Sequence, residues 1–408
     1  MWFYVQRILI PYQQADAALY GRPRGNLSDL YPRWLGTREL LLHHRNPYSF
    51  DVTREIQIGY YGRALARPED PKDQQGFAYP LYVTFFLAPT IFSPFAIVQP
   101  IFGWFLVALT CGTIFLWLRV VRWKPSPAVL AIVLLFTIGC FPAVQGIKLQ
   151  QLTLLVCGLV AGCAVLIVEN QLALAGVLLA AATIKPQLVV LLVPWLLLWA
   201  VSEWYARKRF VLGFSLAMVA LLAGAQLILP GWIGQFRNAL VAYRQYTGGG
   251  GSVLEVLITP APGKLLAVGM VLALIVVCWK MRHVLANSRQ FSCTTALVLA
   301  VTATVIPMTA PYNQLLLLPG VYLLVGDNDF LEKKSPFPLA VFFVCVLLII
   351  WPWLAAAGLS LASGFLPATT VQRAWAVPLY TSLAIPLAVV ALLTPKALTS
   401  LRESSTTP

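Results

Sequence analysis

Charged side chains are scarce in this sequence: Asp, Glu, Lys and Arg make up 11% of its 408 residues. Soluble globular proteins carry about 25% charged residues. The chain is instead 59% hydrophobic, with a mean hydropathy of +0.77, and several windows reach the roughly 18–20 apolar residues needed to cross a bilayer. The composition predicts an all-α, polytopic integral membrane protein rather than a soluble domain.

Acidic residues are scarcer still, and none lies in the middle of an apolar segment. The chain has 15 Asp and Glu against 29 Lys and Arg, and eight of the acids fall between residues 16 and 73. Proton-coupled transporters usually need a carboxylate within the membrane, and many transporters carry an internal repeat that this sequence lacks. Carboxylate chemistry is therefore expected in the polar N-terminal part of the chain.

Metal-ligand spacing is also lacking. The three histidines (His43, His44 and His283) and the seven cysteines form no such pattern. The cysteines fall in or at the ends of apolar segments, where they are expected to pack as small apolar side chains. We predict no metal site and no bound cofactor.

The net charge of +14 comes from short basic clusters between apolar segments. Such clusters signal membrane topology and contact lipid headgroups, so we expect membrane lipids and no nucleic acid as partners. The clusters predicted to be cytoplasmic are Arg119/Arg122/Lys124, Arg207/Lys208/Arg209, Lys280/Arg282/Arg289, Lys333/Lys334 and Lys396/Arg402. The connections then predicted to lie outside are 144–150, 184–187, 231–262, 308–313 and 359–375.

The whole chain, residues 1–408, is predicted to form a single integral membrane domain. Residues 13–78 are polar and form a predicted exoplasmic loop, residues 97–394 form a transmembrane bundle, and residues 395–408 form a cytoplasmic tail. Counting apolar segments leads us to expect about eleven or twelve crossings. The run 80–93 is short and framed by prolines, so it is expected to re-enter the membrane or to lie at its surface. The alternative is an inverted orientation of the first third of the chain.

The N-terminal stretch MWFYVQRILIPY is too short to span a bilayer and has no signal-peptide cleavage site after it. Two explanations are open: a first transmembrane helix is lacking, or the natural start lies upstream. We expect the second.

A charged break, Lys185-Pro186-Gln187, interrupts an otherwise continuous apolar stretch. A lysine at the boundary of two membrane segments is costly unless it faces water, protein or an anionic ligand, and Pro186 disfavours helix there. We therefore expect Lys185 and Gln187 to bind an anionic group, for which phosphate is the candidate. The alternative is a lysine that extends to the membrane surface.

Two other predicted outer turns carry amides. Residues 146–151 include Gln150 and Gln151, and the late turn around Pro311 includes Asn313 and Gln314. These amides are candidates for binding a sugar or phosphate. A polar loop and ordinary turn chemistry are the alternatives.

The polar segment contains one candidate general base. Pro32 opens a predicted helix whose Trp34, Leu35, Leu41 and Leu42 share one side, as in a helix lying in the membrane interface. Asp29 comes just before this helix, beside the membrane surface, where a carboxylate could accept a proton from a substrate. The alternative is that Asp29 only caps the helix. Arg33, in the first turn, is a further candidate for substrate binding.

The order of these motifs resembles that of glycosyltransferase family 87, polyprenyl-phosphate-mannose-dependent membrane mannosyltransferases of the C-type superfamily. The resemblance covers about residues 28–326 and is carried by Asp29-Leu30-Tyr31, Arg38-Glu39-Leu40-Leu41, Asn46-Pro47-Tyr48, Tyr79-Pro80-Leu81, the 146–151 turn, Ala175-Gly176, Lys185-Pro186-Gln187 and Pro311. It implies a C-type helical bundle with a large first outer loop, in a bacterial plasma membrane.

The resemblance also implies an activity. The enzyme would move a hexose, mannose in this family, from a polyprenyl-phosphate donor to a lipid or glycan acceptor on the outer face, with inversion and with Asp29 at the position of the base. A lysine-proline pair occurs in relatives where Lys185-Pro186 stands. Two features depart from the family: the missing first helix, and the late turn, which reads Ala310-Pro311-Tyr312-Asn313-Gln314 and lacks the family's histidine.

The residues fit this chemistry independently of the resemblance. A sugar on a lipid phosphate already has a good leaving group, so one base and a few cations suffice. A glycosidase would usually need two carboxylates around the bond. Two other classes remain: a transporter or flippase for a lipid-linked sugar, and a non-catalytic membrane assembly subunit.

Overall fold

The computed structural model describes residues 1–19, 28–65, 70, 75–246, 250–307, 310–326 and 336–406. The protein is 79% helical, and no strand occurs in these ranges. The all-α prediction is confirmed.

The N-terminal third contains short helices and one pair of longer ones. They are α1 (Trp2–Tyr4), a π-helical turn (Val5–Leu9), α2 (Ile10–Leu19), α3 (Tyr31–His43), α4 (Phe50–Tyr61) and α5 (Val83–Leu87), which continues into a 3₁₀ turn (Ala88–Thr90). The region 80–93 therefore contains no spanning helix, as its length predicts.

The remaining helices form the bundle and its connections. They are α6 (Phe95–Val120), α7 (Pro127–Gly139), α8 (Phe141–Lys148), α9 (Leu152–Val168), α10 (Leu172–Ala182), α11 (Leu192–Ser202), α12 (Trp204–Ile228), α13 (Trp232–Tyr246), α14 (Val253–Leu257), α15 (Pro260–Lys280), α16 (Arg289–Val305), α17 (Leu318–Val325) after a 3₁₀ helix (Pro311–Leu317), α18 (Pro336–Ala362), α19 (Ala368–Arg373), α20 (Val377–Ser382) and α21 (Ile385–Thr406).

Five helical segments in the described part of the chain are long and apolar enough to cross a membrane: Phe95–Val120, Trp204–Ile228, Pro260–Lys280, Leu339–Ala362 and Ala368–Thr399. A sixth span results if α7 and α8, which meet at a 52° bend, count as one. The protein is therefore an integral, multi-pass membrane protein. The expected eleven or twelve crossings exceed this number because several apolar segments form helices of only 10–17 residues.

The two ends of the bundle differ in chemistry. At one end, Gln99 on α6 contacts Gln150 just before α9, and at the other end Arg119 on α6 pairs with Glu169 just after α9 at 2.8 Å. Arg207 lies at the second end as well and donates to the carbonyl oxygen of Arg282. We call the end that contains Gln99 and Gln150 the site end, and the end that contains Arg119, Glu169 and Arg207 the basic end. The predicted cluster Lys333/Lys334 lies outside the described residues.

Helices α10 and α11 form a short antiparallel hairpin beside α12. The hydroxyl of Thr183, after α10, is 3.5 Å from the sulfur of Met218 on α12, whereas Trp199 on α11 accepts a hydrogen bond from Arg207 through its carbonyl oxygen. The turn of the hairpin, which contains Lys185, therefore lies at the site end.

This turn is recessed below the end of α12. Helix α12 continues for ten residues beyond Met218, which at 1.5 Å per residue is about 15 Å. Helices α10 and α11 have 11 residues each, too few to cross a bilayer alone. Non-helical backbone at membrane depth is tolerated where it lines a cavity, and here it does.

Close contact between two glycines holds α10 against α12. A Cβ added to Gly176 would overlap the carbonyl oxygen of Phe210, and one added to Gly213 would overlap that of Ala173. Small residues let membrane helices approach this closely. The contact fixes the height of the Lys185 turn relative to α12.

A helix follows Asp29, as predicted, and its position relative to the membrane surface stays a prediction. Residues Tyr31–His43 are helical, but most of this helix is buried inside the protein, including the charged Arg33 and Glu39. Phe77 lies so close to Gly36 that no side chain would fit there. Helix α3 therefore packs as part of the core, because the polar segment folds back over it.

Candidate functional site

Asp29 lies in the turn that precedes α3. Leu30 occupies the N-cap position and no side chain caps the helix, so capping is not the role of Asp29. Its backbone N–H donates to the carbonyl oxygen of Leu149 at 2.8 Å, and its carboxylate accepts a hydrogen bond from the side-chain amide of Gln151. These two bonds attach the predicted base to the turn that starts α9.

Burial raises the pKa of the Asp29 carboxyl above its ordinary value. Arg33, the hydrogen bond from Gln151, and Lys185 each lower it in part. A carboxylate whose pKa is raised binds a proton more readily than an ordinary aspartate, as a general base must.

Lys185 points into the protein instead of extending to the membrane surface. It is only 6% exposed, and its Nζ donates to Thr153 Oγ1 at 2.6 Å and to Gln151 Oε1 at 3.2 Å. It also lies 4.8 Å from the centre of the Tyr312 ring. The helix breaks at Lys185, and the side chain is held inside the protein; binding of an anionic group by Lys185 stays a prediction.

Gln151 joins the two charged groups. Its Nε2 donates to Asp29 and its Oε1 accepts from Lys185. Asn313 extends the network, because its Oδ1 accepts from Thr153 Oγ1 at 3.3 Å. The amides of two predicted outer turns thus meet at one place.

Arg33 adds a second buried cation. Its Nη1 donates to the backbone oxygen of Asp29 at 2.6 Å, and its guanidinium lies 4.6 Å above the Tyr79 ring. Its Nε is buried and has no hydrogen-bond partner among the described residues. Burial lowers the pKa of Arg33, but Tyr79, Asp29, Tyr243 and Tyr312 together raise this pKa above its ordinary value, so the side chain stays charged.

These side chains surround a cavity of about 370 Å³, which we call the Asp29 cavity. Asp29 is the one acidic residue among the described residues that line it. The other polar lining residues are Arg33, Gln75, Tyr79, Gln151, Lys185, Gln187, Tyr243, Arg244, Tyr312 and Asn313. One carboxylate among several cations suits a substrate that carries both a hydroxyl to deprotonate and a phosphate.

Two predicted site residues lie elsewhere. The amide of Gln150 accepts from Gln99 at 3.4 Å and donates to the carbonyl oxygen of Ile147, so it faces away from the cavity. Gln314 donates to the backbone of Ser382 at 2.8 Å. It follows Asn313 in a 3₁₀ helix, where each residue is rotated by about 120°, so the two side chains diverge. Gln187 is exposed at the cavity rim.

Sequence reasoning missed several residues of the site. Thr153 holds Lys185, and Tyr243 and Arg244 line the cavity from α13. Tyr79 and Tyr312 occur in the recognised motifs but were assigned no role. Arg244 lies in the predicted outer connection 231–262. A basic residue on the outer side could have marked it as a candidate for binding an anionic substrate.

No cluster of three or more potential metal-ligating side chains occurs in the described part of the chain.

No protein-family model matches this chain, and neither a curated protein nor a solved structure matches it. The assignment of a function therefore depends on the site and on the order of the motifs.

Proposed function

We propose that this protein is a membrane hexosyltransferase. It moves a hexose from a polyprenyl-phosphate donor to a glycan or glycolipid acceptor, with inversion at the anomeric carbon. Mannose is the first hexose to test. The observation that carries the proposal is the pairing of Asp29 with Lys185 through Gln151 in one recessed cavity.

In this mechanism Asp29 accepts the proton of the acceptor hydroxyl. The hydroxyl oxygen forms a bond to the anomeric carbon from the face opposite the phosphate. The bond between that carbon and the phosphate oxygen breaks, and its electron pair leaves with the polyprenyl phosphate. The charges of Lys185 and Arg33 stabilise the departing phosphate, and both are held in place before the reaction begins.

The single carboxylate supports a phosphate leaving group. A glycosidase uses a second carboxylic acid to protonate its leaving group, and Asp29 is the one acid that lines the cavity in the described ranges. Polyprenyl phosphate leaves as an anion, so cations take the place of that acid.

The position of the cavity supports an extracytoplasmic reaction. Two of the predicted cytoplasmic clusters, represented by Arg119 and Arg207, contribute contacts at the basic end, opposite the cavity. By the positive-inside rule the cavity then opens on the outer side of the membrane, in our proposal a bacterial plasma membrane. A polyprenyl donor reaches such a site from the lipid phase.

A flippase for a lipid-linked sugar is the second candidate. An apolar groove of about 350 Å³, lined by Phe136, Leu318 and Trp353 among others, favours it because a lipid chain would fit there. The same groove would also serve an enzyme whose donor is a lipid.

The deciding experiment uses the purified full chain in proteoliposomes with a radiolabelled polyprenyl-phosphate-hexose. The enzyme produces a labelled glycan or glycolipid and free polyprenyl phosphate. Movement of the intact donor between leaflets without product formation would favour the flippase and contradict our proposal.

A further inference from the structure

A second, larger cavity adjoins the Asp29 cavity. It has a volume of about 670 Å³ and shares Ala78 and Tyr243 with its neighbour. We call it the Gln57 cavity. Both volumes fall within the range of about 300–1,000 Å³ that is usual for ligand sites.

The described residues that line the Gln57 cavity lie outside the spanning helices. Helix α4 and the residues before it provide one wall, residues 76–78 a second and helix α13 a third. Its lining combines apolar side chains with the polar side chains of Gln57, Gln235 and Asn238, so it suits an occupant that has both hydroxyl groups and apolar faces.

Gln57 places a side chain that can hydrogen-bond a ligand in the wall of the cavity. This side chain lines the cavity and is only 6% exposed, and its amide makes no hydrogen bond within the described part of the chain. The nitrogen and oxygen of this amide still have accessible surface, so they face the open space of the cavity, where water or a ligand reaches them. A ligand with hydroxyl groups would provide both a donor and an acceptor for it.

The rest of the lining suits a carbohydrate. Asn238 and Gln235 provide further amides, and the amide of Gln235 is positioned by a 2.6 Å hydrogen bond from Asn46. Phe50, 79% exposed, and Tyr48 provide aromatic rings, which pack against the apolar faces of sugars. No described residue of the lining is acidic, so the occupant is neutral or anionic.

We propose that the Gln57 cavity binds the acceptor, and that the acceptor is an oligosaccharide of at least two sugar units. Its terminal sugar lies in the Asp29 cavity and presents the reacting hydroxyl. The next sugar passes Tyr243 and Ala78 and hydrogen-bonds Gln57 and Asn238. The inference rests on the proposed function, because it assigns a substrate class to that site.

The test compares acceptors of two lengths. The probes are octyl monosaccharides and octyl disaccharides of mannose, glucose and galactose, with a radiolabelled polyprenyl-phosphate-hexose as donor. With the wild-type protein we expect the best disaccharide to have a KM about tenfold below that of its monosaccharide. Gln57→Leu and Asn238→Ala should remove this preference while the donor KM stays within about twofold.

The control is Gln245→Ala, an exposed position on the same helix as Asn238 that lines neither cavity. It should keep the wild-type preference. Thermal unfolding checks the fold of Gln57→Leu: the substitution removes no hydrogen bond to the described part of the chain, so we expect a thermal stability close to that of the wild type. Lost acceptor affinity in a protein of undiminished stability cannot come from misfolding.

Direct binding separates this inference from the proposed function. Ligand-observed NMR with the octyl disaccharides reports binding without turnover, and Gln57→Leu should abolish the signal. If the wild-type protein transfers hexose but shows equal KM values for both lengths, the inference is wrong and the proposed function stands. If no probe is transferred but a disaccharide binds through Gln57, the enzyme proposal fails and the carbohydrate site stands. Absence of disaccharide binding overturns the inference.

Discussion

Asp29 and Lys185 lie on either side of the Gln151 amide, which donates to the carboxylate and accepts from the ammonium at 3.2 Å. The two charged groups form no direct ion pair among the described contacts. In a direct ion pair the carboxylate and the ammonium would bind each other. Here the Gln151 amide lies between them, and both Asp29 and Lys185 line the cavity.

Asp29→Asn should abolish most of the transfer activity. The amide keeps the size of the side chain but cannot accept a proton, and general-base catalysis contributes roughly 10²–10⁴-fold. Hexose transfer from the labelled donor measures the effect. Asp51→Asn, an exposed position in the first turn of α4, is the matched control and should retain activity. Near-normal transfer by folded Asp29→Asn would remove Asp29 as the base.

Lys185→Gln should lower kcat/KM for the donor by about 10²-fold, the usual cost of removing one group that stabilises developing negative charge. Lys185→Arg should retain part of the activity, because the charge remains but the guanidinium is larger and planar. Steady-state kinetics at varied donor concentration measure both. Lys264→Gln, whose side chain is 72% exposed, is the control. Unchanged kinetics in Lys185→Gln would show that this cation does not contact the phosphate.

The pH dependence of kcat/KM should report the raised pKa of Asp29. The base works only when deprotonated, so kcat/KM falls as the pH drops through this pKa. Because burial raises the pKa of Asp29, this acidic limb of the pH profile should lie above the pKa of an ordinary aspartate, about 3.9. The charge of Lys185 lowers the pKa of Asp29. Lys185→Gln should therefore move the acidic limb to still higher pH, and Lys264→Gln should not. A limb that stays in place would contradict the proximity of the two groups.

Gly176→Ala should destabilise the protein by about 1–3 kcal/mol, because the added Cβ overlaps the backbone of α12. Gly269→Ala is the control: nothing lies within 4 Å of a Cβ there, and alanine favours helix. Thermal unfolding in detergent compares the two. Equal stability of both variants would mean that α10 and α12 are not in close contact.

The topology can be tested by labelling with an impermeant thiol reagent. A cysteine at Arg237, exposed on α13 at the site end, should react from outside, and one at Lys208, exposed at the basic end, should react only after permeabilisation. The unsubstituted protein, with its seven native cysteines, sets the background. The reverse pattern would place the Asp29 cavity on the cytoplasmic side.

The chemistry of the site was largely readable from the sequence by itself. Asp29 and Lys185 stand out because charge is rare in this chain, and a charged group beside apolar segments must have a physical reason to be there. The helical class and the membrane location follow from composition for the same reason. Asn313 and Gln151 were found because they lie in turns between apolar segments.

The tertiary structure decided what local pattern cannot. Whether Gln150 or Gln151 faces Asp29 depends on the backbone of the turn before α9, and Gln150 takes a positive φ of 49° there. Gln57 gives no sequence signal at all, because a glutamine on an amphipathic helix is ordinary until its neighbours are known. The same applies to α3, whose burial by other parts of the protein the sequence does not show. Side-chain direction and burial depend on distant packing, so residues adjacent in sequence can have unrelated roles.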